Sequence, residues 1–166
     1  MKRRALTITV LALVLTPALA AQGLRAEQGW VEQYCTSTAN STGFAAKTDV
    51  IGDLRITTND TWLVSSDCPP GQFGVFLMGT TPTRLPYGDG FLCISPFDTP
   101  IYRLGPPSQP DFMGTTLKHL DFNAYPLPGM CIHSGSTWYF QCYYRDAQAG
   151  GTGFNLGSGV AAYFVQ

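Results

Sequence analysis

A chain of 166 residues, 45% hydrophobic and 13% charged, has the composition of a folded protein and enough length for one domain with a buried core. Ten Lys and Arg stand against eleven Asp and Glu, a formal charge of −1. The basic residues are scattered, which argues against a nucleic-acid partner, because phosphate neutralisation needs clustered cations.

The chain opens with Lys2, Arg3 and Arg4, then an apolar run from Ala5 to Leu15, then Pro17-Ala18-Leu19-Ala20-Ala21. A basic start, a short apolar centre and small residues at the cut predict a secretory signal peptide over residues 1–20, cleaved near Ala20. The run is shorter than the roughly 20 apolar residues a helix needs to span a bilayer, so the mature chain is expected to be secreted, extracellular or periplasmic, without a membrane anchor. Cleavage removes three basic residues and takes the formal charge to −4.

Residues 21–33 mix Glu, Gln and Gly with one Trp and hold no period, which reads as a linker with the composition of a disordered segment. Residues 34–166 form the domain. Their short apolar runs, separated by Gly, Pro, Asn and Asp, predict an all-β fold: a two-sheet antiparallel β-sandwich, Ig-like or jelly-roll-like, with little helix. In chain order, strands are expected at Leu54–Thr57, Thr61–Ser65 after an Asn59-Asp60 turn, Phe73–Met78, Phe91–Ile94 and Ile101–Leu104. The prolines from Pro106 to Pro110 should stop the last of these. Thr115–Phe122, a Pro-rich turn at Asn123–Gly129, a short edge piece at Met130–His133, a long strand at Thr137–Arg145 and Gly159–Val165 complete the series.

Five cysteines, Cys35, Cys68, Cys93, Cys131 and Cys142, follow the leader. In an oxidising compartment they imply two disulfides and one thiol, with the connectivity left open. No C-x-x-C pair or nearby His argues for a metal instead, and no cofactor is implied.

Candidate chemistry is sparse. Gly-x-Ser-x-Gly is absent, and His119 and His133 are the two histidines. His133-Ser134-Gly135-Ser136 reads as a solvated turn. His119 and Asp121 leave the same strand face, an acid/base couple in one reading and a polar outer face in the other. Asp60 and Asp89 sit near carbonyls but lack EF-hand spacing. Asn40-Ser41-Thr42 and Asn59-Asp60-Thr61 are glycosylation sequons. No catalytic residue is assigned.

Thr137–Arg145 is the densest aromatic stretch. Alternation sends Trp138, Phe140, Cys142 and Tyr144 into the core, and Tyr139, Gln141, Tyr143 and Arg145 to the other face. Flat rings beside Gln and Arg suit a sugar, the rings covering its apolar face and the polar groups bonding its hydroxyls, with Trp62 a further candidate ring. Cross-strand packing explains the same residues without a ligand.

Three motif groups appear together and in order: Tyr34-Cys35 with Asn40-Ser41-Thr42-Gly43; Gln72–Leu77 leading to Tyr87-Gly88-Asp89-Gly90-Phe91-Leu92-Cys93; and Trp138–Asp146 with Gly153-Phe154-Asn155-Leu156. Across Tyr34–Val165 the chain resembles an uncharacterised β-sandwich module of secreted and surface proteins in planctomycete-like and myxobacterium-like bacteria. It departs from that pattern at Gly157-Ser158-Gly159, where Ser-Asp-Gly is expected, and Cys131 is an addition. The resemblance implies an exported sandwich without an assigned activity. A secreted, non-enzymatic structural or adhesive module is therefore expected, a carbohydrate-binding module being the alternative, with a polysaccharide or a surface protein as partner.

Overall fold

The computed structural model describes residues 28–124 and 131–166. The leader, residues 21–27 of the linker and most of the Asn123–Gly129 turn lie outside the described residues. Strands are β1 (Trp30–Cys35), β2 (Lys47–Gly52), β3 (Thr61–Ser66), β4 (Gly74–Gly79), β5 (Pro82–Tyr87), β6 (Gly90–Ile94), β7 (Tyr102–Ser108), β8 (Thr116–Leu120), β9 (Thr137–Arg145), β10 (Phe154–Leu156) and β11 (Gly159–Tyr163). A short 3-10 turn spans Ala147–Ala149.

The fold is all-β and sandwich-like. One sheet runs β1-β11-β9-β4-β7, with β10 also on β9; a second runs β2-β3-β8; β5 and β6 form a separate hairpin. Every pairing between these strands is antiparallel.

Alternation builds the main core. Phe76 and Met78 of β4, Leu104 of β7, Trp138, Phe140, Cys142 and Tyr144 of β9, and Val160 and Ala162 of β11 meet Val50, Leu63 and Leu120 of the second sheet. Phe164 stands edge-on to both Phe140 and Phe122.

A third layer covers the other face of the larger sheet. Leu92 and Ile94 of β6 bury against Leu77 of β4 and Leu156 of β10, with Val75, Ile101, Tyr139, Tyr143 and Phe154 around them. Each fully buried aliphatic side chain there contributes about 1.5 to 3 kcal/mol. The Cys35–Cys93 disulfide fastens the hairpin to β1, and the Tyr34 hydroxyl donates to the Cys93 carbonyl at 2.5 Å. Gly88, at φ +62°, begins the hairpin turn, where a Cβ would strike the Phe154 ring.

Several expected boundaries move. Residues 30–33 are strand rather than linker, since β1 pairs with β11 from Trp30↔Tyr163 and Trp30 stacks on Tyr163 at 5.9 Å. Leu54–Thr57 is not a strand: Arg55 makes a single parallel bridge to Val165, while the strand partner of β3 is β2, upstream. Asn59 has the left-handed φ of a turn, +50°, but it belongs to a longer connection. β7 continues through Pro106 and Pro107, which is possible because it is the edge of its sheet. Cys131–His133 forms no strand.

Candidate functional site

The sequence-derived ligand face is the outer face of β9, and the third layer changes its character. Antiparallel register sets Val75 beside Tyr143 and Leu77 beside Gln141 on one side, and Leu77 beside Arg103 on the other. The Arg145 N–H donates to the Phe73 carbonyl at 2.9 Å, extending the same rows by one step.

Gln141 leaves the set of ligand-facing residues. It is fully buried, with Oε1 accepting the Cys93 N–H at 2.9 Å and Nε2 donating to the carbonyls of Phe91 and Gly157, each at 2.8 Å. Its amide joins β6 to the face of β9 as a neighbouring strand's backbone would. Tyr139 is half-buried beneath the hairpin, edge-on to Tyr34 at 5.2 Å, and does not present an open ring. Burial and the nearby Tyr139 phenol push the Tyr34 hydroxyl well above the ordinary tyrosine range.

Tyr143 and Arg145 do reach open space. Tyr143 is half-buried, its ring 5.1 Å from Phe154, and its remaining surface lines a groove that passes the edge of the hairpin. The groove has two parts sharing Tyr143 and Arg103. One, of about 380 Å³, lies among Leu77, Leu85, Pro86, Tyr87, Leu92 and Ile101. The other, of about 430 Å³, lies among Phe73, Val75, Pro107 and Arg145. Phe73 is 55% exposed and Tyr87 48%. The ion pair found among the described residues is Arg55–Asp53, far in sequence from this groove, so the Arg103 and Arg145 guanidinium groups carry no carboxylate partner there.

Phe73, Arg103 and Tyr87 are not among the sequence-derived ligand candidates, although Phe73 and Tyr87 stand in the ordered motifs. Period-two alternation did separate Phe73, Val75 and Leu77 from Phe76 and Met78. What was missing was the pairing of β4 with both β7 and β9, which places Arg103 opposite the Phe73 row.

The other candidates settle into structural roles. Trp62 lies on the three-stranded sheet, tilted against His119 at 4.8 Å, its Nε1 donating to Asp60. His119 and Asp121 share a face, yet the His119 Nε2 is 2.8 Å from the Asn59 carbonyl, while Asp121 accepts from Asn59 Nδ2 and the Asn123 N–H. Those hydrogen bonds hold the Asp121 carboxyl below its usual range. His133 is in an exposed turn closed by Ser136, as expected for that segment. Asp89 accepts from the Thr152 N–H and so shapes the loop before β10. Among the described residues no three His, Cys, Asp or Glu side chains gather as a metal site would require. Asn40 is buried with its amide donating to the Asp67 carbonyl, which leaves that sequon closed to glycosylation in the folded chain. Of the five cysteines, Cys35 and Cys93 are bonded, Cys68 and Cys142 are buried thiols, and Cys131 is exposed. The structure thus holds one disulfide where two were expected. Ser158, at the position of the expected Asp, is buried and its Oγ accepts the Thr48 N–H at 2.9 Å.

Compared with protein-family models, curated proteins and solved structures, the chain finds no match in any of the three. The groove is read from its own residues.

Proposed function

We propose that this chain is an exported, non-enzymatic module that adheres to its surroundings by binding a polysaccharide carrying carboxylates in the groove along β4, β7 and β9. One observation carries this reading: Phe73 and Tyr143, two rings with free surface, lie in the same open groove as two guanidinium groups that have no carboxylate partner among the described residues. Rings cover the apolar face of a pyranose, and a guanidinium bonds a carboxylate with two parallel N–H donors. The groove residues offer no carboxylate or imidazole for acid/base work. That favours binding over hydrolysis. The signal-like leader and the disulfide support export.

The test is a binding series with the purified chain against a polyuronic acid, a neutral β-glucan and peptidoglycan, beside Phe73→Ala and Arg103→Ala variants. These two side chains are chosen because they are exposed, so the fold should survive both changes. The polyuronic acid should bind, with affinity reduced at least about fivefold in each variant. Equal binding by wild type and both variants, or no binding to any acidic glycan, would sink the assignment and leave a protein partner as the next candidate.

A further inference from the structure

We propose that Cys68 and Cys142 form a second disulfide, joining the end of β3 to the centre of β9 across the main core and leaving Cys131 as the single thiol. Three neighbouring pairs link the two residues. The Thr48 Oγ1 accepts the Cys142 N–H at 3.1 Å. Thr48 stands opposite Ser65 in the β2–β3 register. The Ser65 Oγ is 3.3 Å from the Cys68 Sγ. The two thiols complete the loop by contacting one another side chain to side chain.

Both are buried within the same apolar cluster, Cys68 at 1% exposure and Cys142 at 0%. Cys131 is on the surface, and linking it to either would require drawing a core sulfur outward. Cys35–Cys93 joins the larger sheet to the hairpin, whereas Cys68–Cys142 joins it to the three-stranded sheet. The pair would therefore fasten the one layer that the first disulfide does not reach.

The hydrogen bond from Cys142 lowers the Cys68 thiol below the usual cysteine range, with Ser65 assisting, while the same contact and full burial push Cys142 well above it. These shifts belong to the folded pair; the bond itself forms earlier, while the Cys68 sulfur is still accessible. The Cys68 thiolate attacks an oxidant disulfide, such as oxidised glutathione or a thiol–disulfide oxidoreductase; the oxidant's S–S bond breaks and one sulfur leaves, taking up the Cys68 proton. The Cys142 thiolate then displaces the second oxidant sulfur from the mixed disulfide, and its proton goes to that leaving group. The oxidant ends as two thiols, holding both electrons. Because the sulfurs are buried once folded, exchange belongs to the folding chain.

The experiment is oxidative refolding of the full chain in a glutathione buffer poised so that Cys35–Cys93 closes. The product is alkylated under denaturing conditions without reduction, digested and read by mass spectrometry. A cross-linked peptide pair containing Cys68 and Cys142, with alkylation at Cys131 alone, is the expected result. In a Cys131→Ser chain no thiol should react. Alkylation of both Cys68 and Cys142 beside a closed Cys35–Cys93, or a link from either to Cys131, would overturn the pairing.

Discussion

Gln141 shows how one side chain can replace a strand. With the Cys93 N–H and the carbonyls of Phe91 and Gly157 all bonded to one buried amide, Gln141→Leu would keep the volume and orphan three backbone groups. Each buried unsatisfied group costs about 1 to 3 kcal/mol, so the variant should lose about 3 kcal/mol or more in denaturant unfolding. A loss under about 1 kcal/mol would refute the bracketing role. Alternation made Trp138, Phe140, Cys142 and Tyr144 legible as core, since period two says which residues share a face. It says nothing of what lies over that face. Gln141 and Tyr139 therefore looked open when the hairpin covers them.

A second residue-scale effect is electrostatic. Asp53 accepts from the Arg55 guanidinium at 2.6 Å, and that hydrogen bond holds its carboxyl down to about 2. A depressed carboxyl stabilises the fold above its unfolded value near 3.8 and stops doing so as pH falls toward 2. The pair is exposed, so the effect is small. Melting temperatures of wild type and Asp53→Asn should differ modestly at pH 6, with the gap narrowing below about pH 4 and closing only as pH falls through about 2. A gap that widens in acid would contradict this sign.

At the scale of elements, the β5–β6 hairpin is the piece most dependent on constraints from outside itself. A two-stranded ribbon is marginal alone, and this one relies on the small second core, the Gln141 bracket and Cys35–Cys93. The disulfide closes a sequence separation of 58 residues, for which chain entropy gives about 4 kcal/mol. Cys35→Ser/Cys93→Ser should therefore lose roughly 2 to 5 kcal/mol, with amide exchange accelerating first in β6 and only later in β9. Uniform acceleration across both strands would mean the hairpin is not a separate unit. Element legibility followed local chemistry. β4 and β9 were readable because both alternate cleanly. β5 was missed because Pro82 and Pro86 argue against a strand, although a ribbon edge tolerates them. β1 was missed because its Glu32 and Gln33 are solvent-facing, and only its pairing with β11 makes it a strand.

For the whole molecule, the groove is a locally cationic site on a chain whose formal charge is −1 in full and −4 without the expected leader. Long-range attraction to a polyanion is therefore weak, and recognition depends on Arg103 and Arg145 acting at contact distance, with Phe73 and Tyr143 supplying apolar area. The two parts respond differently to salt. Guanidinium–carboxylate attraction is screened over a Debye length of about 10 Å at 0.1 M, falling to about 3 Å at 1 M, whereas ring stacking is not. Raising salt from about 0.05 M to 0.5 M should weaken polyuronic acid binding several-fold in the wild type. The Arg103→Ala/Arg145→Ala chain should bind weakly at both salts and show little further loss, while Phe73→Ala should keep the wild-type salt slope at lower affinity. Titration calorimetry at two ionic strengths separates these outcomes. If the double Arg variant retained the wild-type slope, the charges responsible would lie elsewhere on the surface and the groove would lose its claim to the ligand.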